Sequence, residues 1–313
     1  MFFTKNWIVF ILSFLISFRS EASLVNSKAN VALSVESGKE VGNFPIGMGS
    51  VVNLKSADSK LSGPSLFLGN VLKSDGNSAY QIYLNKKSKT VYYIESNRFS
   101  SIPEKLSNNL QTILDPTPQA GGTCTGYAIY NFLVQTHFSG FTGSGELQTQ
   151  LQDEESRQYL MVDAVNQYYL TPSHKNSITG ILNGYGKKYG FNCKKFQSED
   201  YSKVLSYLKE KLKSGSPVIV SFNIGPKMYH SPFKLKYADP SKEEVDDRLW
   251  IPRKSGERNS GGHSIVASSF FELNNRSYMV MIDSDWSEPR VWDVEDFLNT
   301  KTMLLEMEFI SCH

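Results

Sequence analysis

Cysteine is scarce in this chain, with three in 313 residues, and no two of them form a C-x₂₋₄-C pair. That excludes a cysteine-built zinc module. The five histidines, His137, His174, His230, His263 and His313, have no partner at metal-ligand spacing, so neither a metal nor a cofactor is expected. There is no P-loop, no dinucleotide fingerprint, no G-x-S-x-G elbow and no H-E-x-x-H. An excess of one charge is missing as well. With 33 basic and 31 acidic residues the net charge is +2, which gives no electrostatic reason to propose nucleic acid as a partner. Beyond the amino terminus no stretch is long and apolar enough to span a bilayer.

The amino terminus itself is apolar. Lys5 supplies a positive start, Trp7 to Phe18 is almost unbroken hydrophobic sequence, and Ser20-Glu21-Ala22 places small residues where a signal peptidase reads. The run is shorter than the ~18–20 residues a membrane anchor needs. Residues 1–22 are therefore expected to be a signal peptide, cleaved after Ala22. The mature chain is expected to be secreted or periplasmic, without stable membrane insertion. In an oxidising compartment an odd cysteine count leaves one thiol unpaired. Pairing of Cys193 with Cys312 would leave Cys124 free; the alternative is that all three are reduced.

Residues 23–105 read as a small β-rich domain of about five to seven strands. Short alternating runs at 31–35 and 50–54 are separated by polar clusters. A hairpin is expected from 80–84 and 90–94 across a polar turn at 85–89. After a proline-containing connector, apolar residues at helical spacing predict helices from Cys124, over 154–168, over 178–189 and over 201–213. Strands are expected at 218–222, 263–272, 277–283 and 303–310. The charged stretch 225–262 reads as a long functional or mobile loop. Helices followed by an antiparallel sheet make residues 106–313 an α+β catalytic half.

Cys124 lies in Pro-Gln-Ala-Gly-Gly-Thr-Cys-Thr-Gly-Tyr-Ala (118–128), at the start of an expected helix. A helix amino terminus and an imidazolium can lower a thiol from ~8.5 to ~3.5–7.5, which makes it a nucleophile. Gln119 is placed to donate an amide N–H to a developing oxyanion. His263 follows two glycines at the mouth of an apolar strand, where a general base needs an orienting acceptor on its other nitrogen. Asp283 closes the next strand, and antiparallel pairing would carry it back to His263; Asp285, two residues on, is its competitor. The predicted catalytic set is Cys124, His263, Asp283 and Gln119. Trp286 is read either as a shield for the His–Asp bond or as core packing.

Gln119 with Cys124, the Lys213-Ser-Gly-Ser-Pro-Val-Ile-Val strand, His263-Ser-Ile-Val-Ala and Tyr278-Met-Val-Met-Ile-Asp-Ser-Asp-Trp resemble papain-like cysteine peptidases over roughly residues 115–310. His263 follows Cys124 by 139 residues, within the ~130–150 of that group. Gly-Thr-Cys-Thr-Gly-Tyr is similar to the motif of secreted bacterial staphopain-type enzymes. The chain departs from the family in a Gln–Cys gap shorter by one residue and in Asp for Asn at 283. The resemblance implies a two-lobed fold, with a helical lobe carrying Cys124 and a β lobe carrying His263, acting on a peptide or protein substrate.

Position alone, between signal and Gln119, suggests that residues 23–105 are an intramolecular propeptide of a zymogen. Two other functions compete. A transglutaminase-like acyltransferase or deamidase shares the Cys-His-Asp set, but its histidine lies closer to the cysteine. A secreted binding protein on a catalytically inactive peptidase scaffold is the third reading.

Overall fold

The computed structural model describes residues 32–36, 39–41, 51–56, 60–72, 79–96, 112–114, 119, 122–138, 145–152, 154–170, 177–273, 275–299 and 302–313. The expected signal peptide, residues 1–22, lies outside the described residues, as does most of the 100–118 connector. No helix among the described residues is long and apolar enough to cross a membrane. The protein is α+β.

Strands β1 (Ala32–Glu36), β2 (Lys39–Val41), β3 (Val51–Ser56), β4 (Gly63–Leu72), β5 (Ala79–Asn85) and β6 (Thr90–Ser96) form the first sheet. It closes on itself in the order β6-β2-β1-β3-β4-β5-β6, so these strands make a small barrel. The β5–β6 hairpin is the one its alternation predicts, and Asn85 Oδ1 holds its turn by accepting from the Lys87 and Ser88 N–H groups. Two further strands join from outside. β7 (Thr112–Leu114) pairs with β4, and β11 (Lys234–Tyr237), from the charged 225–262 stretch, pairs in parallel with β6.

Alternation gives β4, β5 and β6 two buried faces, whereas β3 buries Val52 and Leu54 and exposes Val51, Asn53 and Lys55. Phe67, Tyr83, Tyr92 and Ile94 form one cluster with Val52, Leu54 and Leu61. Their neighbours Leu66, Leu68, Tyr80, Ile82, Leu84, Val91 and Tyr93 belong instead to the large core that includes Ala128, Ile129, Phe132 and Leu133. Each such side chain contributes about 1.5–3 kcal/mol on burial, so this shared face alone rivals the total stability of a domain. The Tyr93 hydroxyl also donates to the Pro289 carbonyl.

Helix α1 (Cys124–Phe138) opens the second half, followed by α2 (Gly145–Gln152), α3 (Glu154–Tyr169), α4 (Ile178–Tyr189) and α5 (Tyr201–Lys213). Helix α4 starts where Ser177 Oγ accepts from the Gly180 N–H at 2.9 Å. It ends at Gly190, whose φ of 82° is a left-handed cap. Asp200 caps α5 in the same way. Strands β8 (Cys193–Phe196), β9 (Val218–Ile224), β13 (Gly261–Leu273), β14 (Arg276–Ile282), β15 (Arg290–Asp293) and β16 (Glu308–Cys312) form an antiparallel sheet in the order β15-β14-β13-β9-β16-β8. A short helix α6 (Val294–Phe297) and a 3-10 turn at Leu304–Glu306 precede β16. One sheet face, with Val220, Ile265, Ala267 and Met281, packs in a cluster with Val204, Leu208 and Leu212 of α5. The other face, with Ile219, Val266, Val280 and Ile310, joins the core of α1 and the barrel. Cys193 and Cys312 face each other across β8 and β16 and form a disulfide.

The 225–262 stretch differs from the long loop its charge suggests. Besides β11 it forms the ladder β10 (Tyr229–His230) with β12 (Arg248–Leu249). Phe233, Leu235, Leu249 and Ile251 are buried, and these isolated apolar residues anchor it between charged neighbours.

Candidate active site

Cys124 is the first residue of α1, where backbone N–H groups lack intrahelical partners and the helix dipole favours negative charge. It is the free cysteine and is buried. His263 is the third residue of β13, on the same strand face as Ile265 and Ala267. Asp283 follows β14 on the face of Met279 and Met281. The antiparallel register pairs Val266 with Ile282, so one step further sets Asp283 opposite Ile265 and diagonal to His263. Strand pairing thus brings acid and imidazole together.

His263 Nε2 lies 3.0 Å from Asp283 Oδ1, and both side chains are almost wholly buried. With Nε2 so engaged, Nδ1 is the nitrogen left to meet Cys124, whose thiol and the imidazole lie close enough to shift each other's titration. Cys124 Sγ also lies 3.8 Å from the Gly262 carbonyl oxygen, a long contact through which a neutral thiol can donate.

Burial pushes the Cys124 thiol up. The hydrogen bond and charge of His263, the Ser264 backbone N–H and Thr125 outweigh it and hold the thiol below its ordinary value. Burial likewise opposes the imidazolium of His263. The charge and hydrogen bond of Asp283, then those of Cys124, overcome it and raise the group to about 10. The two shifts have opposite signs and reinforce each other, which favours the thiolate–imidazolium form of the pair.

Asp285, the competing acid, is turned elsewhere. Its Oδ2 accepts from Trp250 Nε1 at 2.8 Å, while its backbone N–H donates to Asp283 Oδ1 at 3.0 Å. Burial first, then the charge of Asp283, raise its pKa against the attraction of His263. One donor atom from each of His263, Asp283 and Asp285 lies within 4.8 Å of the others. In two of them that closeness is the His–carboxylate bond. Trp286 is half-buried over Arg290, with the guanidinium carbon 4.6 Å from its ring. It joins the sheet core rather than the cavity lining.

Gln119 is anchored beside this turn. Its N–H donates to the Ser284 carbonyl at 2.8 Å, and Ser284 Oγ donates to its Oε1 at 2.9 Å. Because Oε1 accepts that bond, the Nε2 amide is the donor end that remains. Gln119 does not itself line the cavity described next.

A cavity of about 500 Å³ opens at the sulfur and the imidazole. The α1–α3 side supplies Gly122, Cys124, Thr125, Tyr168 and Tyr169; the sheet side supplies, among others, Asn223, His263, Glu306 and Glu308. None of the described barrel residues lines it. Sequence reasoning missed Ser284, Trp250 and Tyr169. Ser284 stood inside the acid-bearing segment next to its predicted residue, whereas Trp250 lay in the charged stretch with nothing to mark it.

No protein-family model matches the chain, and no curated protein matches it.

Proposed function

We propose that this protein is an exported cysteine peptidase with a papain-like two-lobed catalytic half. The observation that carries the reading is the buried Cys124–His263–Asp283 arrangement at the edge of a cavity large enough for several substrate side chains. The thiolate attacks the peptide carbonyl carbon. The oxygen that becomes negative is held by the Cys124 backbone N–H and the Nε2 amide of Gln119. His263 gives its Nδ1 proton to the leaving amine, and a thioester remains on Sγ. Water then enters, His263 takes a proton from it, and the carboxylic acid leaves with the thiolate restored. Asp283 holds the ring through Nε2 throughout and offsets its positive charge.

The Cys193–Cys312 disulfide fits an oxidising compartment and supports export. The described barrel residues share the core of α1 and do not line the cavity, which favours a retained barrel over a cleft-blocking propeptide. Labelling with an epoxide selective for thiol peptidases, followed by peptide mapping, tests the function. An adduct on Cys124 together with peptide hydrolysis is expected. An unreactive Cys124, or isopeptide product without hydrolysis, would overturn it in favour of a binding or acyltransferase role.

A further inference from the structure

We propose that Tyr169 is a positioning residue for the nucleophile, its hydroxyl fixing the glycine turn that presents Cys124. It rests on reading Cys124 as the reacting group. The turn needs a tie. Gly122 is exposed, and a Cβ built there would meet nothing within 4 Å, so packing does not hold it. A glycine turn has more conformational freedom to lose than any other. Tyr169 Oη donates to the Gly122 carbonyl at 2.9 Å. Thr125, on the other side of Cys124, lies close enough to the same phenol for its backbone N–H and side chain to lower the phenol's pKa. One phenol therefore ties the residue two before the sulfur-bearing residue and lies against the residue one after it.

Helix packing aims that oxygen. A Cβ on Gly126 would lie 2.6 Å from the Val165 Cα, so α1 and α3 touch there almost backbone to backbone. Tyr169 is one turn beyond Val165 along α3, on the same helix face, and Gly122 is four residues before Gly126. The contact at Gly126 thus sets the reach of the phenol to the turn. Thr125 carries the tie onward: its Oγ1 is 3.1 Å from Ser264 Oγ, which donates to Ser221 Oγ at 3.0 Å. Thr125 adjoins Cys124 and Ser264 adjoins His263, so the hydroxyl chain crosses from α3 through α1 to β13 and β9 beside both reacting groups. Burial, then the charge of Cys124, push the Tyr169 phenol up to about 12 against the Thr125 bonds, so it keeps the proton it donates to Gly122.

The test is Tyr169→Phe, which removes the hydroxyl and keeps the ring. The half-exposed site makes a folding failure unexpected, and a melting curve checks it. The readout is the pH dependence of Cys124 alkylation by iodoacetamide, which needs no substrate. The rate at neutral pH should fall roughly 3- to 10-fold, the loss of one hydrogen bond, and the midpoint should move to higher pH. With a peptide substrate, kcat should fall more than KM rises. Thr125→Val should act in the same direction, and the double variant should lose less than the two effects combined, because both cut one chain. Unchanged alkylation in Tyr169→Phe, or full additivity in the double variant, would overturn the proposal. Absence of peptide hydrolysis in the wild type, with the alkylation shift intact, would instead count against the peptidase reading alone.

Discussion

Strands β4, β5 and β6 of the barrel and β9, β13 and β14 of the six-stranded sheet are all buried largely on two faces, yet titratable groups are distributed very differently between them. In the barrel, the buried polar groups Gln81, Asn70 and Tyr83 are neutral and bond mainly to one another. In the sheet, a histidine, an aspartate and an arginine are buried at the carboxyl side of β14. Buried polar atoms without a hydrogen-bond partner are more numerous there, at Asp283 Oδ2, Trp286 Nε1, Arg290 Nε and Arg290 Nη1, against Asn70 Nδ2 among the described barrel residues. A region selected for stability alone would satisfy such atoms or replace them. The barrel thus supports the fold, while the cost in stability at the β14 end fits the chemistry proposed for it.

Removing the barrel should have the largest effect. A chain lacking residues 23–105 would expose Ile129, Phe132 and Leu235 and leave β11 without its partner. It should show no cooperative melting transition, and an active, folded product starting near residue 110 would break the comparison. Cys124→Ala should do the opposite, leaving the melting curve within a few degrees while turnover falls at least about 10³-fold. Asp283→Asn should lower turnover less and change its pH profile. In the wild type, activity should rise as Cys124 deprotonates through its depressed value and fall as His263 deprotonates through its raised one. Removing the Asp283 charge removes the chief cause of the raised His263 value, so the falling limb should move to lower pH; an unmoved limb would contradict this. Replacing both Cys193 and Cys312 by serine should cost about 2–5 kcal/mol in denaturant unfolding and leave Cys124 alkylation unchanged.

Much of this was legible where residues act locally. Ser177 and Gly190 bracket α4, and Asp200 with Ser214-Gly215 brackets α5, so both helices fall on the residues their periodicity marks. Cys124, His263 and Asp283 were legible because each stands at the edge of a strong periodic element. Elements that depend on remote partners were not. Lys234–Tyr237 becomes a strand only because β6 offers it an edge, and Cys193–Phe196 because β16 does. Tyr169 read as one more apolar position on its helix, since the turn it holds lies 47 residues away in sequence.

On this reading His263 holds Cys124 as a thiolate. That is tested most directly by the rate of Cys124 alkylation against pH in the wild type and in His263→Ala. A wild-type midpoint below the ordinary thiol value is expected, with an upward move in the variant, where burial is left unopposed by the imidazolium. A wild-type midpoint at or above the ordinary value, or the same midpoint in both proteins, would contradict it.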